Sequence, residues 1–394
     1  MTVAATTRPQ EKAAFDHRGV LAVSGCHTAH DMYGSCVGAL LPVLIDRLAI
    51  PVGAAGVLVG AYRLPSLLQP FLGHWADHYD ARLLVVFMPT LAAVAITSLG
   101  LASGYGATLA LLVVAGLASA AFHPAAGAMV TRVGGDSWGR ASAYFATGGE
   151  IGRTLGPAMI GSVLFYLAFE QIWVMALPAI AWSVFAYTQI AGKNARVRRP
   201  PPPAALGAAI KAQRGPLALM ATIILLRSLA IASFQIYLPT YLKQGGTAVQ
   251  VAAFALTAFE VGAVAGQFVG GALSDRFGRR RMMVFSQLTA GPVLFAALSL
   301  AQTSYLFAAL LVGGFLAVSA GAVQMALMQE LLPGNRSVAV GISYLLSFES
   351  QLVATLVIGF AADLVGLGDA LSVSVWLSMA SIPFTLLLPE PRRG

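Results

Sequence analysis

Charge is what this sequence has least of. Asp, Glu, Lys and Arg make up only 10% of its 394 residues, whereas 58% are hydrophobic and the mean hydropathy is +0.77. A soluble chain so composed would leave large apolar patches in water, which excludes an ordinary globule. Cysteine is nearly absent. Cys26 and Cys36 are the only two, and they sit about 15 Å apart along one helix, too far to bridge. A disulfide framework is excluded, leaving two small apolar side chains. No phosphate-cradling glycine loop and no nucleophile constellation is evident, so neither catalysis nor a cofactor is expected. The alternating ten-residue segments of a membrane barrel are missing as well, and helices remain.

What the chain does have is long apolar runs. They fall at 19–45, 52–76, 82–103, 107–130, 141–168 and 171–191, then at 216–242, 248–273, 282–303, 305–329, 337–362 and 370–389. Twelve spans need roughly 240 residues, which the chain supplies with short loops to spare. The first run is too long for the apolar core of a cleavable leader and reads as the first helix. The longest polar interruption, Lys193 to Gly215, contains Arg196, Arg198, Arg199 and the run Pro200 to Pro203. Proline and charge together mark a linker. The expected organisation is an all-α membrane protein: one six-helix bundle over residues 1–192, a cytoplasmic linker over 193–215, and a second bundle over 216–394.

The net charge of +8 is distributed as topology, not as a polyanion-binding face. Nineteen of the 24 Lys and Arg, from Arg8 to Arg393, fall on one side of such a membrane. The opposite loops hold Arg47 and Lys243, and Arg63, Arg153 and Arg227 lie inside runs. By the positive-inside rule both termini are cytoplasmic, in an inner membrane. The partners expected are the bilayer, a small molecule and protons, with no nucleic acid and a monomeric chain.

The two halves repeat. Gln69, Gly73 and Asp77 after the second run match Gln267, Gly271 and Asp275 after the eighth at an offset of 198, and Arg82 matches Arg280. Glu150 and Glu349 lie 199 apart in the fifth and eleventh runs. The segment Gly271-x-x-x-Asp275-Arg276-x-Gly278-Arg279-Arg280 resembles the loop signature of the major facilitator superfamily, with Gly73, Asp77 and Arg82 as its weaker copy. Glycine there allows close helix approach, and the Asp with nearby arginines reads as a charge cluster that latches the halves in one state. In the fifth run, Gly148, Gly152 and Gly156 recur every four residues and form a flat packing strip, followed by Pro157, which bends the helix. This segment resembles the glycine-proline motif of the superfamily's antiporters. A closer resemblance rests on His27-x-x-x-Asp31-Met32, Phe122-His123-Pro124, Gln329-Glu330-Leu-Leu-Pro333-Gly334 and Gly359-Phe-Ala-Ala-Asp363. These look like the fosmidomycin-resistance family, which implies proton-coupled efflux of a drug or metabolite. Arg63, Glu150, Arg153 and Ala125 depart from that family's pattern, so its fold carries over and its substrate does not.

Ionisable residues inside the runs, apart from those within two residues of a run's end, are His27, His30, Asp31, Arg63, His123, Glu150, Arg153, Arg227, Glu260 and Glu349. None lies in runs three, six, nine or twelve, which the superfamily fold places against lipid. Seven Asp, Glu and Arg facing hydrocarbon would cost on the order of 20 kcal/mol, so they must pair or line water. The expected proton carriers are Asp31 first, then Glu150 and Glu349. The expected substrate contacts are His27, Tyr33, Arg63, His123, Arg153, Arg227 and Glu260. Their mixed signs favour an anionic or zwitterionic molecule. Proton symport of an organic acid into the cell stays open as the alternative. A metal or metal-chelate transporter is the less favoured reading and no metal site is expected, because His27, His30 and Asp31 cannot easily all face one point on a straight helix.

Overall fold

The computed structural model describes residues 15–190, 206–333 and 336–389, without the side chains of Asp77, His78, Leu206, Ala209, Arg336 and Ser337. No strand occurs among the described residues. Twelve segments run back and forth. The first six are α1 (His17–Leu48), α2 (52–78), α3 (Arg82–Leu101), α4 (Tyr105–Gly134), α5 (Trp138–Tyr166) and α6 (Phe169–Ile190). The second six are α7 (Arg214–Gln244), α8 (Val249–Phe277), α9 (Arg279–Ser299), α10 (Leu306–Leu331), α11 (Arg336–Val365) and α12 (Leu367–Leu386). The helix Leu206–Ala212 lies in the expected linker, whose residues 193–205 fall outside the described set.

Nine stretches are long and apolar enough to cross a bilayer by length and composition, among the described residues. One of them, Tyr105–Tyr166, is α4 and α5 joined through the short turn Gly135–Ser137. The remaining two segments are α1 and α2, whose hydropathy is diluted by His27, His30 and Asp31 and by Arg63, Gln69 and His74. Twelve spans result.

Local chemistry sets several of the boundaries. Asp16 caps α1 by accepting the Gly19 N–H at 3.0 Å, and Ala49 ends it in the left-handed region at φ 50°. In α2, Pro65 and Pro70 lack the N–H a continuous helix needs, and the chain tightens to a 3₁₀ turn over Leu64–Leu68. Helix α5 by contrast is continuous through Pro157.

Each half is sealed by small residues. A Cβ on Gly148, Gly152 or Gly156 of α5 would lie 2.5 Å from the Ser24 carbonyl oxygen, 2.2 Å from that of Thr28 and 2.1 Å from that of Met32. Helices α1 and α5 therefore meet backbone to backbone. In the second half, Gly262, Gly266 and Gly270 of α8 do the same against Leu311, Phe315 and Ser319 of α10. Large exposed side chains such as Phe87 on α3, Phe185 on α6, Phe295 on α9 and Trp376 on α12 cover the outside, where lipid solvates them.

The halves touch at the end where α1 finishes, here the far end. Asp46 and Lys243 form an ion pair across the boundary. The Asp363 carboxylate of α11 accepts the Gly53 N–H of α2 at 3.0 Å, and Gln250 donates to the Leu164 carbonyl at 2.9 Å. Gly38 abuts the Gln235 carbonyl, where a Cβ would be 2.3 Å away. Towards the opposite, near end, Gly127 on α4 and Gly341 on α11 have nothing within 4 Å of a Cβ. The space between the halves is thus closed at the far end, while these two near-end glycines face open space.

Candidate functional site

Halfway along the helices, polar side chains from both halves converge. On α1, His27 and Asp31 are four residues apart and share a face. The His27 Nε2 lies 3.3 Å from one Asp31 oxygen, and the His123 Nε2, from α4, lies 3.4 Å from the other. Both rings are steered from behind. His27 Nδ1 donates to the Phe145 carbonyl at 2.8 Å and His123 Nδ1 to the Ser119 carbonyl at 3.0 Å. The His27 ring also stacks on Phe145 at 4.0 Å and fills the space beside Gly149, where a Cβ would come within 2.4 Å of it.

A second cluster crosses the boundary. Arg153 pairs with Glu150, one turn away on α5, and its Nε donates to Glu260 of α8 at 3.2 Å. Glu260 also accepts from the Gln235 amide of α7 at 2.9 Å. Glu260 is almost wholly buried, while the Arg153 side chain keeps 32% exposure, so the cluster borders open space on its α5 side. Two further bonds join α2 to α11: Arg63 donates to Gln351 at 2.7 Å, and Ser66 donates to Glu349 at 2.9 Å. The charges that the sequence scatters over seven helices are here paired or aimed into one hollow, which is how they avoid hydrocarbon.

Comparison with known proteins decides the family. The family model described as Major Facilitator Superfamily matches residues 23–248 and 220–394. The chain belongs to the major facilitator superfamily.

It is accordingly a membrane transporter and not an enzyme. Among curated proteins it is similar to the fosmidomycin resistance protein of Escherichia coli (strain K12), 26% identical with 99% of this chain and 96% of that protein covered. It is also similar to YfnC, an uncharacterised transporter of the superfamily from Bacillus subtilis (strain 168), at 24% identity over 93% and 92% of the two chains. Among solved structures, the fold resembles a bacterial homologue of the human lysosomal transporter Spinster in an inward-facing, unoccupied conformation, with a TM-score of 0.79 at 14% identity over 94% of this chain and 96% of that one. The nucleoside transporter NupG matches with a TM-score of 0.73 at 14% identity over 94% and 98%.

The superfamily signature lies at the near end. Gly73 faces Pro124 of α4 and Gly271 faces Ala322 of α10, the same close approach in each half. Arg279 pairs with Asp275 at 2.8 Å and with Glu330 of α10 at 3.1 Å. These bonds stay inside the second half, so with the far end shut Arg279 staples α8, α9 and α10 rather than latching the halves together. Arg280 donates to the Leu386 and Leu388 carbonyls at 3.3 Å. Arg82 grips Asp80 at 2.8 Å, holding that loop carboxyl below its usual range. The Asp77 side chain lies outside the described residues.

Two expected site residues stand elsewhere. Tyr33 is fully buried and its hydroxyl donates to the Met175 carbonyl of α6, so it packs the first half and does not face the hollow. Arg227 is buried and donates to Gln324 at 3.1 Å and to the Ala317 carbonyl at 2.8 Å, which fixes it on α10 away from Arg153. His30, adjacent to Asp31, turns to stack on Phe122 at 4.7 Å. His123 from α4 takes the place beside Asp31, a convergence no reading along one helix can give.

Other polar participants escaped the sequence reading because they carry no charge. Gln235, Gln351 and Ser66 are ordinary helix residues until the neighbouring half is in place. Their signal was weak but present: each is a polar side chain in an otherwise apolar run. Asp363, at the far end, was noticed only as part of a resemblance.

Proposed function

We propose that this transporter is a proton-coupled antiporter exporting a small anionic or zwitterionic organic molecule by alternating access. The observation that carries the reading is the charge cluster shared by the halves, in which Arg153 and Glu150 of α5 meet Glu260 of α8. A link across the boundary exists only while the halves keep this separation. Any ligand or proton that competes for Glu260 or Arg153 therefore biases one conformation over the other.

The three arginines take different parts. Arg153 already serves two carboxylates, and Arg227 is fixed on its own half. Arg63 has only the neutral Gln351 amide on Nη1, and its Nε has no partner. A guanidinium without an acid is the natural seat for a carboxylate or phosphonate group, which it can grip through two parallel bonds. Glu150 and Glu260 share one guanidinium, which leaves a single negative charge over. A proton taken by one of them neutralises the cluster, and losing it restores the pull across the boundary. Asp31, with an imidazole beside each carboxylate oxygen, lies wholly inside the first half, so the cross-boundary coupling role is given to Glu260. Glu349, bonded to Ser66 across the boundary, is the second acid that opening must separate.

The distribution of Lys and Arg supports placing both termini in the cytoplasm of a bacterial inner membrane, and the hollow then opens to the cytoplasm, ready to load. The name of the Escherichia coli relative makes fosmidomycin the first compound to try. Reconstituted into liposomes under an imposed pH gradient, the protein is expected to move substrate against the direction of proton flow. Substrate moving with the protons would make it a symporter. Flux indifferent to the gradient would end the coupling claim.

A further inference from the structure

We propose that His27, Asp31 and His123 bind one divalent cation of the zinc class (Zn²⁺, Co²⁺ or Ni²⁺), at a site inside the first half that opens onto the hollow between the halves. One donor atom from each residue lies within 4.8 Å of the other two. The two recorded His–Asp separations, 3.3 and 3.4 Å, are long for a hydrogen bond between a charged pair, which runs about 2.7–2.9 Å. The two separations run to different Asp31 oxygens, so each imidazole faces its own side of the carboxylate.

The direction of the rings makes the same point. Each Nδ1 faces a backbone carbonyl, at 2.8 Å for His27 and 3.0 Å for His123, and a carbonyl can only accept. A neutral ring bonded this way carries its hydrogen on Nδ1 and turns its Nε2 lone pair toward the Asp31 carboxylate, and the Ser119 hydroxyl is a second neighbour of His123 Nδ1 at 3.3 Å. Converging acceptors attract a cation, whether a proton or a metal ion. Imidazoles held through Nδ1–H to a carbonyl, with Nε2 free, are the usual outer support of a metal-binding histidine. Two imidazoles and a carboxylate suit zinc-class ions, whereas magnesium and calcium prefer all-oxygen shells. His30 stands edge-on 5.0 Å from the His123 ring, fully buried with both ring nitrogens unpartnered.

The side chains of Asp31 and His123 are each 21% exposed, which leaves a route from the hollow and room for a water or a ligand group at the fourth position. All three ligands come from α1 and α4, inside the first half. The site therefore needs nothing from α7 to α12 and persists whichever end is closed.

The test uses full-length protein, purified in detergent with any affinity tag removed and stripped with a chelator, and Co²⁺ alone as the probe. One Co²⁺ per chain is expected by equilibrium dialysis, with Mg²⁺ in excess failing to displace it. His123→Gln and Asp31→Asn should each weaken binding by about tenfold or more, while Glu260→Gln leaves it unchanged. X-ray absorption at the cobalt edge of the wild-type protein, which requires no variant, should show two imidazole ligands. An all-oxygen shell, substoichiometric binding, or equal affinity in His123→Gln overturns the proposal. Loss of the proposed antiport in Glu260→Gln has no bearing on cobalt binding, so the two readings fail separately.

Discussion

The two polar clusters at mid-depth are built alike and connected differently. His27, Asp31 and His123 sit on α1 and α4, inside one half. Glu150, Arg153, Glu260 and Gln235 come from α5, α7 and α8 and span the boundary. A group confined to a rigid bundle keeps its geometry through a rocking motion, whereas one shared by two bundles is broken and remade. The first arrangement suits holding a ligand; the second suits sensing which state the halves are in. Burial does not divide them, for the cross-boundary cluster runs from Glu260 at 3% exposed to Arg153 at 32% and brackets Asp31 at 21%.

The largest effect should come from removing the scaffold both clusters share. In Gly152→Leu, even the first added carbon would lie 2.2 Å from the Thr28 carbonyl oxygen. Overpacking against backbone costs about 3 kcal/mol or more, and both clusters should lose register together. Size-exclusion profiles and thermal melts in detergent are expected to show little folded protein; a wild-type melt would mean that α1 and α5 do not touch there.

Next in size is Glu260→Gln, which strikes the cross-boundary cluster alone. Removing one partner of a buried ion pair costs about 3–5 kcal/mol, reduced here because Arg153 keeps Glu150. Transport driven by a pH gradient should disappear while the protein still folds. Undiminished gradient-driven flux would erase the proposed difference between the clusters.

Arginine substitutions sharpen the contrast further. Arg63→Gln removes charge-assisted bonds worth about 1.5–3 kcal/mol, so an acidic substrate should bind roughly ten- to a hundredfold more weakly in equilibrium titrations. Arg227→Gln should lower the melting temperature and leave that affinity alone. Equal losses of affinity in both would return Arg227 to the site.

The smallest effect belongs to the far-end pair. Lys243 and Asp46 have side chains 27% and 63% exposed, and pairs this open to solvent contribute at most about 1 kcal/mol. Lys243→Gln should shift the melt by little, and less in high salt. A large destabilisation would show that far-end closure depends on this pair more than on Asp363 and the glycine contacts.

Much of the architecture was legible in the chain. Apolar runs long enough to span, the repeat at an offset of 198, and ionisable residues confined to seven of the twelve runs together imply two six-helix bundles around a shared hollow. Chemistry along one helix was legible too, since Glu150 with Arg153 and His27 with Asp31 follow from helical spacing alone. Tyr33 and Arg227 misled because a polar group in an apolar run has two remedies, a hollow or a buried partner. Only the neighbouring helix tells which one was taken, and here Met175, Ala317 and Gln324 supply the partner.

The sequence by itself determined that the chain must live in lipid, how many times it crosses, and that its polar residues must turn inward. Those are consequences of solvation, which depends on composition and period and so can be read one residue after another. Tertiary structure alone decided that His123 and not His30 faces Asp31, that Arg153 bridges the halves, and that the far end is the one held shut. These depend on rotations of one helix about its neighbour by a fraction of a turn, fixed by where glycine lets backbones touch, and no spacing along a single helix records them.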